Sequence, residues 1–151
     1  MLFRSESAQG ALEHFPDLGV VVTRPNSDVG GDELASLLIT WSEQRPRTVF
    51  IDSLGQHFAT VVGHAEAIIG NSSSGVIEAP ALRTPTVNIG ERQDGRPCAT
   101  SVSSVPADSD AVRAAVEAVL HGAVSYGELP YGGEGVSKRV IEALLNRIGS
   151  A

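Results

Sequence analysis

The apolar run Ala67-Ile68-Ile69 leads into Gly70-Asn71-Ser72-Ser73-Ser74-Gly75, and Val76-Ile77-Glu78-Ala79 follows at once. This order is typical of a buried strand that opens through a turn of small residues into a helix. The first N–H groups of a helix have no partner within it and lie at the positive end of its dipole, so they favour an anion such as a nucleotide diphosphate. Serine is also a preferred N-cap residue, and a purely capping role for these serines is the alternative.

A second apolar run, Pro85-Thr86-Val87-Asn88-Ile89-Gly90, ends in Glu91-Arg92-Gln93-Asp94-Gly95-Arg96. Open parallel sheets bind ligands beyond the carboxyl ends of their strands. We therefore expect the serine loop (residues 70–75) and the arginine loop (residues 91–96) to face one crevice. Arg92 and Arg96 are candidate anion partners because a guanidinium offers phosphate two parallel hydrogen bonds. Solvated surface arginines are the alternative.

Composition favours one globular domain over residues 1–151, because 42% of the 151 residues are hydrophobic. The net charge of −7 argues against binding to nucleic acid or an anionic membrane. The single cysteine, Cys98, excludes an intramolecular disulfide, and we interpret it as a semi-buried apolar residue. No apolar run reaches membrane-spanning length and the N-terminus lacks the apolar core of a signal peptide, so we expect a cytoplasmic protein.

Strand-like and helix-like segments alternate along the chain, which predicts a three-layer α/β fold with a parallel sheet covered on both faces. The first helix-like piece is Ser7 to Phe15, where a doubly wound sheet ordinarily begins with a strand. We expect that first strand to be absent, which would leave unpaired backbone groups on two flanking strands. The predicted strands are 19–23, 48–52, 67–69, 85–90 and 99–105; the predicted helices are 30–44 with an apolar face of Leu34, Leu37, Leu38 and Trp41, then 56–65, one after Ser74, 109–121 and 135–148.

Taken in order, the loops resemble those of the UDP-N-acetylglucosamine 2-epimerases, hydrolysing and non-hydrolysing. The resemblance implies the C-terminal half of a glycosyltransferase B-type fold of two Rossmann-like halves. It covers about Ala11 to Leu145 and rests on four motifs: Arg24-Pro25-Asn26-Ser27-Asp28-Val29-Gly30-Gly31; Ser53-Leu54-Gly55; the serine loop with Glu78-Ala79-Pro80; and Pro85 to Gly90 with the arginine loop. A later segment, Pro130-Tyr131-Gly132-Gly133-Glu134-Gly135, resembles the family's C-terminal motif.

The resemblance implies a UDP-binding role for six residues. Ser72 and Ser73 would hold the diphosphate, Glu78 the ribose hydroxyls, and Arg92 would close over the substrate. Asn26 would lie near the diphosphate or the uracil, and the Ser53 backbone near the uracil. A carboxylate only accepts hydrogen bonds, so Glu78 suits a diol. A helix-dipole partner in the first helical turn is the alternative for Glu78.

The implied reaction is epimerisation at the sugar C2 through elimination of UDP, with carboxylates that move the proton and a histidine that assists the leaving diphosphate. The family takes those carboxylates from its other half and the histidine from a Val-Thr-x-His strand motif, and neither is present here. No catalytic residue is therefore identified in this chain. His14, His57, His64 and His121 lie on short helices or at helix ends and are expected to be surface residues.

Two functions remain open. The chain is either the nucleotide-binding half of an epimerase, active only with a separate N-terminal half, or a UDP-sugar-binding module or remnant without activity. A glycosyltransferase of the same fold is a weaker alternative. We expect a UDP-sugar ligand and a homo-oligomer, and neither a metal nor a redox cofactor is indicated.

Overall fold

The computed structural model describes residues 2–26, 30–122, 124–131 and 135–148. Helices and strands alternate as the sequence predicts, and most boundaries agree within two residues. The helices are α1 (Leu2–Leu12), α2 (Gly31–Gln44), α3 (Phe58–Gly63), α4 (Ser73–Ile77), α5 (Ser109–Leu120) and α6 (Val136–Ile148); the strands are β1 (Val20–Thr23), β2 (Thr48–Ile51), β3 (Ile68–Gly70), β4 (Thr86–Ile89) and β5 (Val102–Val105). Short 3-10 turns span Gly55–His57, Ala79–Leu82 and Glu91–Gln93.

All strand pairs are parallel, so the predicted Rossmann-like α/β class is confirmed. The strands form two sheets, with the orders β1-β2 and β3-β4-β5. Within the described part of the chain, β1 and β3 therefore each pair with one strand only. Strands β2 and β5 also pair with one strand each, and the sequence led us to expect unpaired backbone groups on the two strands that flank the absent first strand of the sheet.

The core is centred on β4, which is buried along its whole length. Val87 and Ile89 of β4 pack with Ala11 of α1 and with Val112 and Val116 of α5. Successive side chains of a strand point to opposite faces. Helices α1 and α5 therefore cover one face of the three-stranded sheet, and α4 packs against β3 and β4 as well.

The smaller sheet is less well covered than the sequence predicts. Val21 and Val49 are register partners on β1 and β2, and they remain 48% and 50% exposed. Helix α2 packs against β2 through its apolar face, where Leu34 is buried. Leu37, which the spacing placed on that face, is exposed. The prediction that helices cover both sheet faces is therefore wrong for β1 and β2.

The Arg45 side chain links the α1–β1 connection to the start of β2 through hydrogen bonds. Its guanidinium is buried and donates to the carbonyl oxygens of Phe15 at 2.7 Å and Leu18 at 3.1 Å, and to Thr48 Oγ1 at 2.9 Å. A guanidinium carries five N–H donors in a fixed fork, so it can hold several carbonyl groups at once.

The first helix of the chain differs from the prediction, since α1 begins at Leu2 and ends before His14.

The C-terminal helix α6 presents an apolar stripe to solvent. Its polar side carries an ion pair of 3.9 Å between Lys138 and Glu142. Residues that recur every three to four positions share one side of a helix, a pattern that ordinarily faces a core or a partner. The exposed apolar residues are Val136, Val140, Ile141, Leu144, Leu145 and Ile148.

Candidate functional site

The serine loop begins where β3 ends. Gly70 has a φ of +149°, a conformation that L side chains rarely adopt. Ser72 then caps α4, and its Oγ accepts a long hydrogen bond of 3.4 Å from the Ser74 N–H. Ser72 is therefore the N-cap residue of α4, while Ser73 begins the helix itself. A helix start placed directly after a strand leaves the first amide groups at the carboxyl end of the sheet.

The arginine loop begins where the neighbouring strand β4 ends. Gly90, with a φ of +74°, turns the chain into Glu91–Gln93, and its N–H donates to the Val105 carbonyl oxygen at 2.7 Å. Arg92 is exposed, whereas Gln93 is buried. The guanidinium of Arg92 is thus presented to solvent from a turn that is anchored in the protein.

A hydrogen bond joins these two loops. Gln93 Nε2 donates to the carbonyl oxygen of Asn71 at 2.7 Å. Because β3 and β4 are adjacent, with Gly70 opposite Asn88, both loops leave the sheet at the same edge. The structure therefore brings the serine loop and the arginine loop together, as the sequence predicts.

Glu78 lies at the junction between α4 and the Ala79–Leu82 turn and is exposed. It is the C-terminal cap of α4, so the interpretation of Glu78 as a dipole partner in a first α-helical turn is wrong. Glu78 lines a mainly apolar groove of about 380 Å³. The other residues of this groove are Phe58, Ala59, Ile77, Ala81, Leu82 and Tyr131.

Tyr131 also lines this groove, and hydrogen bonds to Thr100 hold the segment that precedes it. Thr100 Oγ1 donates to the Ser125 carbonyl oxygen and accepts from the Gly127 N–H, both at 2.8 Å. The Arg83 guanidinium lies 6.0 Å from the centre of the Tyr126 ring. The C-terminal motif thus contributes an aromatic side chain beside Glu78, and its residues 132–134 lie outside the described part.

Asn26 and Ser53 follow the strands of the smaller sheet, and both are exposed. Ser53 Oγ accepts from the Gly55 N–H at 3.1 Å, which shapes the turn that leads to Phe58. Asn26 packs its carbonyl oxygen against Gly31, where a Cβ would clash. Residues 27–29 of this motif lie outside the described part.

Arg24 and Asp52, which the sequence analysis assigned no role, connect these two loops. Their ion pair spans 2.7 Å, and the Arg24 guanidinium also lies 5.7 Å from the centre of the Phe50 ring. Asp52 directly precedes Ser53. The pair therefore links the chain segments at the carboxyl ends of β1 and β2.

The histidines are exposed and lie in turns or at helix ends, as expected for surface residues. His64 Nδ1 lies 2.7 Å from the Thr60 carbonyl oxygen, and His121 Nδ1 lies 2.6 Å from that of Glu117. Cys98 is exposed rather than semi-buried, because its loop lies on the surface with Sγ 3.4 Å from the Arg96 carbonyl oxygen. Over the described ranges, no three His, Cys, Asp or Glu residues form a group that could hold a metal ion, and no helix has the length and apolarity to cross a membrane.

A family model described as UDP-N-acetylglucosamine 2-epimerase matches residues 4–145. The chain belongs to this epimerase family. The match spans both sheets, so the serine loop, the arginine loop and the groove beside Glu78 all lie within the epimerase region. The resemblance drawn from the loop motifs is confirmed.

The chain is similar to three named bacterial proteins. It is 33% identical over 87 residues to the polysialic acid biosynthesis protein P7 of Escherichia coli, covering 58% of this chain and 22% of that protein. It is 34% identical over 87 residues to the GDP/UDP-N,N'-diacetylbacillosamine 2-epimerase (hydrolyzing) of Campylobacter jejuni, covering 56% and 23%. For the UDP-N-acetylglucosamine 2-epimerase of Neisseria meningitidis, the identity is 28% over 100 residues, covering 62% and 26%. The matched region thus spans about a quarter of each relative.

Gln93, Phe58 and Tyr131 are the site residues to which sequence reasoning assigned no role. Each of the three lies in or beside a motif that the sequence analysis recognised. The signal that could have identified each of them as a site residue is its residue type. An aromatic residue in a polar loop and a glutamine between exposed charged residues both suggest a specific contact. Which groups they contact depends on segments distant in sequence, and only the fold brings those segments together.

Proposed function

We propose that this chain is the C-terminal, nucleotide-binding half of a UDP-N-acetylglucosamine 2-epimerase and acts together with an N-terminal half. The observation that carries the proposal is the hydrogen bond of 2.7 Å from Gln93 to the Asn71 carbonyl oxygen, because it holds the serine loop beside the arginine loop. Amides and hydroxyls on one loop and a guanidinium on the other are the donors that a diphosphate requires.

The diphosphate would lie between these loops. Ser73 begins α4, so its backbone and hydroxyl groups are placed at the positive end of that helix. Arg92 would cover the diphosphate from the arginine loop, since its exposed guanidinium can form two parallel hydrogen bonds. Ser72 would contribute its backbone N–H and hydroxyl, and Asn26 would approach from the loop after β1.

The nucleoside would occupy the groove beside Glu78. Its apolar walls suit a planar base, and the Phe58 and Tyr131 side chains offer aromatic surface. The Glu78 carboxylate can accept hydrogen bonds from both hydroxyls of a ribose. The Ser53 backbone, at the turn that leads to Phe58, would contact the uracil.

The reaction proposed for the complete enzyme is epimerisation at the sugar C2 through elimination of UDP. This chain would bind and orient the nucleotide, and the Arg92 guanidinium would stabilise the negative charge that develops on the departing diphosphate. We assign no catalytic carboxylate to this chain. Those groups would come from the N-terminal half, which would also contact the sugar.

Three exposed features support an N-terminal half as the partner. Strands β1 and β3 each pair with one strand only, Val21 and Val49 leave an apolar patch on the smaller sheet, and α6 presents its apolar stripe to solvent. A strand edge offers unpaired N–H and C=O groups to another strand. A second copy of the chain is the competing occupant, and the molecular mass in solution distinguishes the two.

Calorimetric titration of the purified chain with UDP tests the nucleotide site, with circular dichroism and molecular mass measured on the same sample. We expect binding of UDP and much weaker binding of uridine, because uridine lacks the diphosphate that the serine loop and the Arg92 guanidinium would bind. A folded chain that does not bind UDP would contradict the proposal.

Co-expression tests the partner. The reading frame upstream of the coding region should encode the carboxylate-bearing half with a Val-Thr-x-His strand. We expect the two products to co-purify and to epimerise or hydrolyse UDP-N-acetylglucosamine, whereas this chain alone only binds UDP. A UDP-binding chain that gains no activity from that product would support the non-catalytic binding module instead.

A further inference from the structure

Gln93 is a buried amide beneath an exposed arginine. Gln93 is only 5% exposed, whereas Arg92 directly before it is exposed. Hydrogen bonds from Asp94 N–H to the Glu91 carbonyl oxygen at 3.0 Å and from Arg96 N–H to that of Gln93 at 3.2 Å fix the turn around it. The turn therefore holds Gln93 inward and Arg92 outward.

The contact that Gln93 makes has a direct consequence for Ser72. Gln93 Nε2 donates to the carbonyl oxygen of Asn71, which shares a peptide bond with the Ser72 nitrogen. In a trans peptide, the C=O and the N–H point in opposite directions. A carbonyl drawn toward the buried Gln93 therefore turns the Ser72 N–H away from it.

Packing alone does not explain an amide at this position. Gln93 Oε1 is buried and has no hydrogen-bond partner within the described residues. Leaving a buried acceptor unpaired costs free energy, whereas an apolar side chain of similar shape would avoid that cost. The amide must then supply something that an apolar residue cannot, and its N–H donor to Asn71 is the group that does so.

We propose that Gln93 is a positioning residue of the anion site. It fixes the peptide between Asn71 and Ser72 so that the Ser72 N–H is presented to a phosphate oxygen, and it sets the distance between that amide and Arg92. This inference rests on the proposed UDP-binding function and names the residue that preorganises the site.

Two variants of Gln93 and one control test the proposal. Gln93→Met keeps the approximate volume and removes the donor. Gln93→Glu removes the donor when ionised and restores it when protonated, because a protonated carboxyl carries an O–H. Gln44→Met is the matched control, since Gln44 is an exposed residue at the end of α2.

NMR titrations with UDP and with uridine provide the measurement, together with the melting temperature of each variant. For Gln93→Met we expect roughly tenfold weaker UDP binding, the scale of one lost hydrogen bond, with uridine binding unchanged. The melting temperature should fall only slightly, because the substitution removes the donor to Asn71 and the unpaired Oε1 together. The shift of the Ser72 amide resonance on adding UDP should shrink in the same variant. Gln44→Met should match the parent in every reading.

The pH dependence of Gln93→Glu separates positioning from packing. Its UDP affinity relative to the parent at the same pH should recover as the pH falls toward about 5, because burial raises the pKa of a carboxyl above its ordinary value near 4.3. A ratio that does not change with pH would contradict the positioning role. Recovery supports it only where the shift of the Ser72 amide resonance on adding UDP recovers as well, because relief of charge repulsion alone would not turn that amide.

The outcomes distinguish the two proposals. A folded parent that does not bind UDP would overturn the proposed function and the inference with it. A parent that binds UDP while Gln93→Met binds it equally well would overturn the positioning role alone. Equal losses of UDP and uridine affinity, accompanied by a lower melting temperature, would also overturn it because they indicate a purely structural residue.

Discussion

The Thr86 hydroxyl donates a hydrogen bond of 2.7 Å to the carbonyl oxygen of Gly75. This bond links β4 to α4 at the end of the serine loop. The two residues also approach closely. A Cβ built on Gly75 would lie 2.7 Å from Thr86 Cγ2 and 3.6 Å from Ile68 Cγ2. Glycine is thus required here by the distance between helix and sheet.

Replacing Gly75 should destabilise the protein. We expect Gly75→Ala to lower the free energy of unfolding by about 1–3 kcal/mol, because an added methyl group in a packed interior forces its neighbours apart. The same substitution in a Thr86→Ser background should cost less, since serine keeps the hydroxyl and lacks Cγ2. Urea unfolding measures both, and Gly63→Ala is the control because a Cβ there meets nothing within 4 Å. Equal costs in the two backgrounds would contradict the contact.

Arg45 should be more important for stability than an exposed arginine. Arg45→Met would leave the carbonyl oxygens of Phe15 and Leu18 without their guanidinium donor. We expect a loss on the order of 3 kcal/mol, because buried acceptors would be left unpaired. The control is Arg147→Met on exposed α6, which should stay within about 0.5 kcal/mol of the parent. Similar unfolding midpoints for the two variants would contradict the role given to Arg45.

Ser73→Ala tests the serine loop as a diphosphate site. We expect UDP binding to weaken by about 1–2 kcal/mol, the scale of a hydrogen bond to a charged group. Calorimetry on the parent, on this variant and on Ser103→Ala gives the answer, since Ser103 is exposed on β5, away from the serine loop. If Ser73→Ala binds UDP as the parent does, the Ser73 hydroxyl does not contact the diphosphate.

Arg92→Lys should not preserve affinity. Lysine keeps the charge but cannot form two parallel hydrogen bonds in one plane, so we expect UDP to bind more weakly to this variant than to the parent. A titration at two salt concentrations separates geometry from charge, because screening affects both variants similarly. Equal affinities at both concentrations would exclude paired hydrogen bonds from Arg92.

Glu78→Gln should change discrimination between sugars in the nucleotide. The parent is expected to bind UDP more tightly than 2'-deoxy-UDP, because the carboxylate of Glu78 can accept from the 2'-hydroxyl. In the variant that preference should shrink several-fold. Competition between the two nucleotides measures it, with Glu43→Gln as a control because Glu43 is an exposed residue of α2. An unchanged preference would place the ribose elsewhere.

The order of strands and helices, the parallel α/β class and the loops that carry the motifs could all be predicted from the amino-acid sequence. Those features depend on local patterns: apolar runs, helical spacing and glycines that end strands. The prediction that the serine loop and the arginine loop meet also succeeded, because adjacent parallel strands present their ends at one edge.

The contacts between residues that are distant in sequence became known from the folded structure and not from sequence patterns. It divided the strands into two sheets, exposed Leu37 and Cys98, and brought Tyr131 to the groove of Glu78. The bond from Gln93 to Asn71 crosses 22 residues. The physical reason is that a local pattern shows which face of a segment is apolar, whereas burial and hydrogen bonding depend on the segment that packs against it.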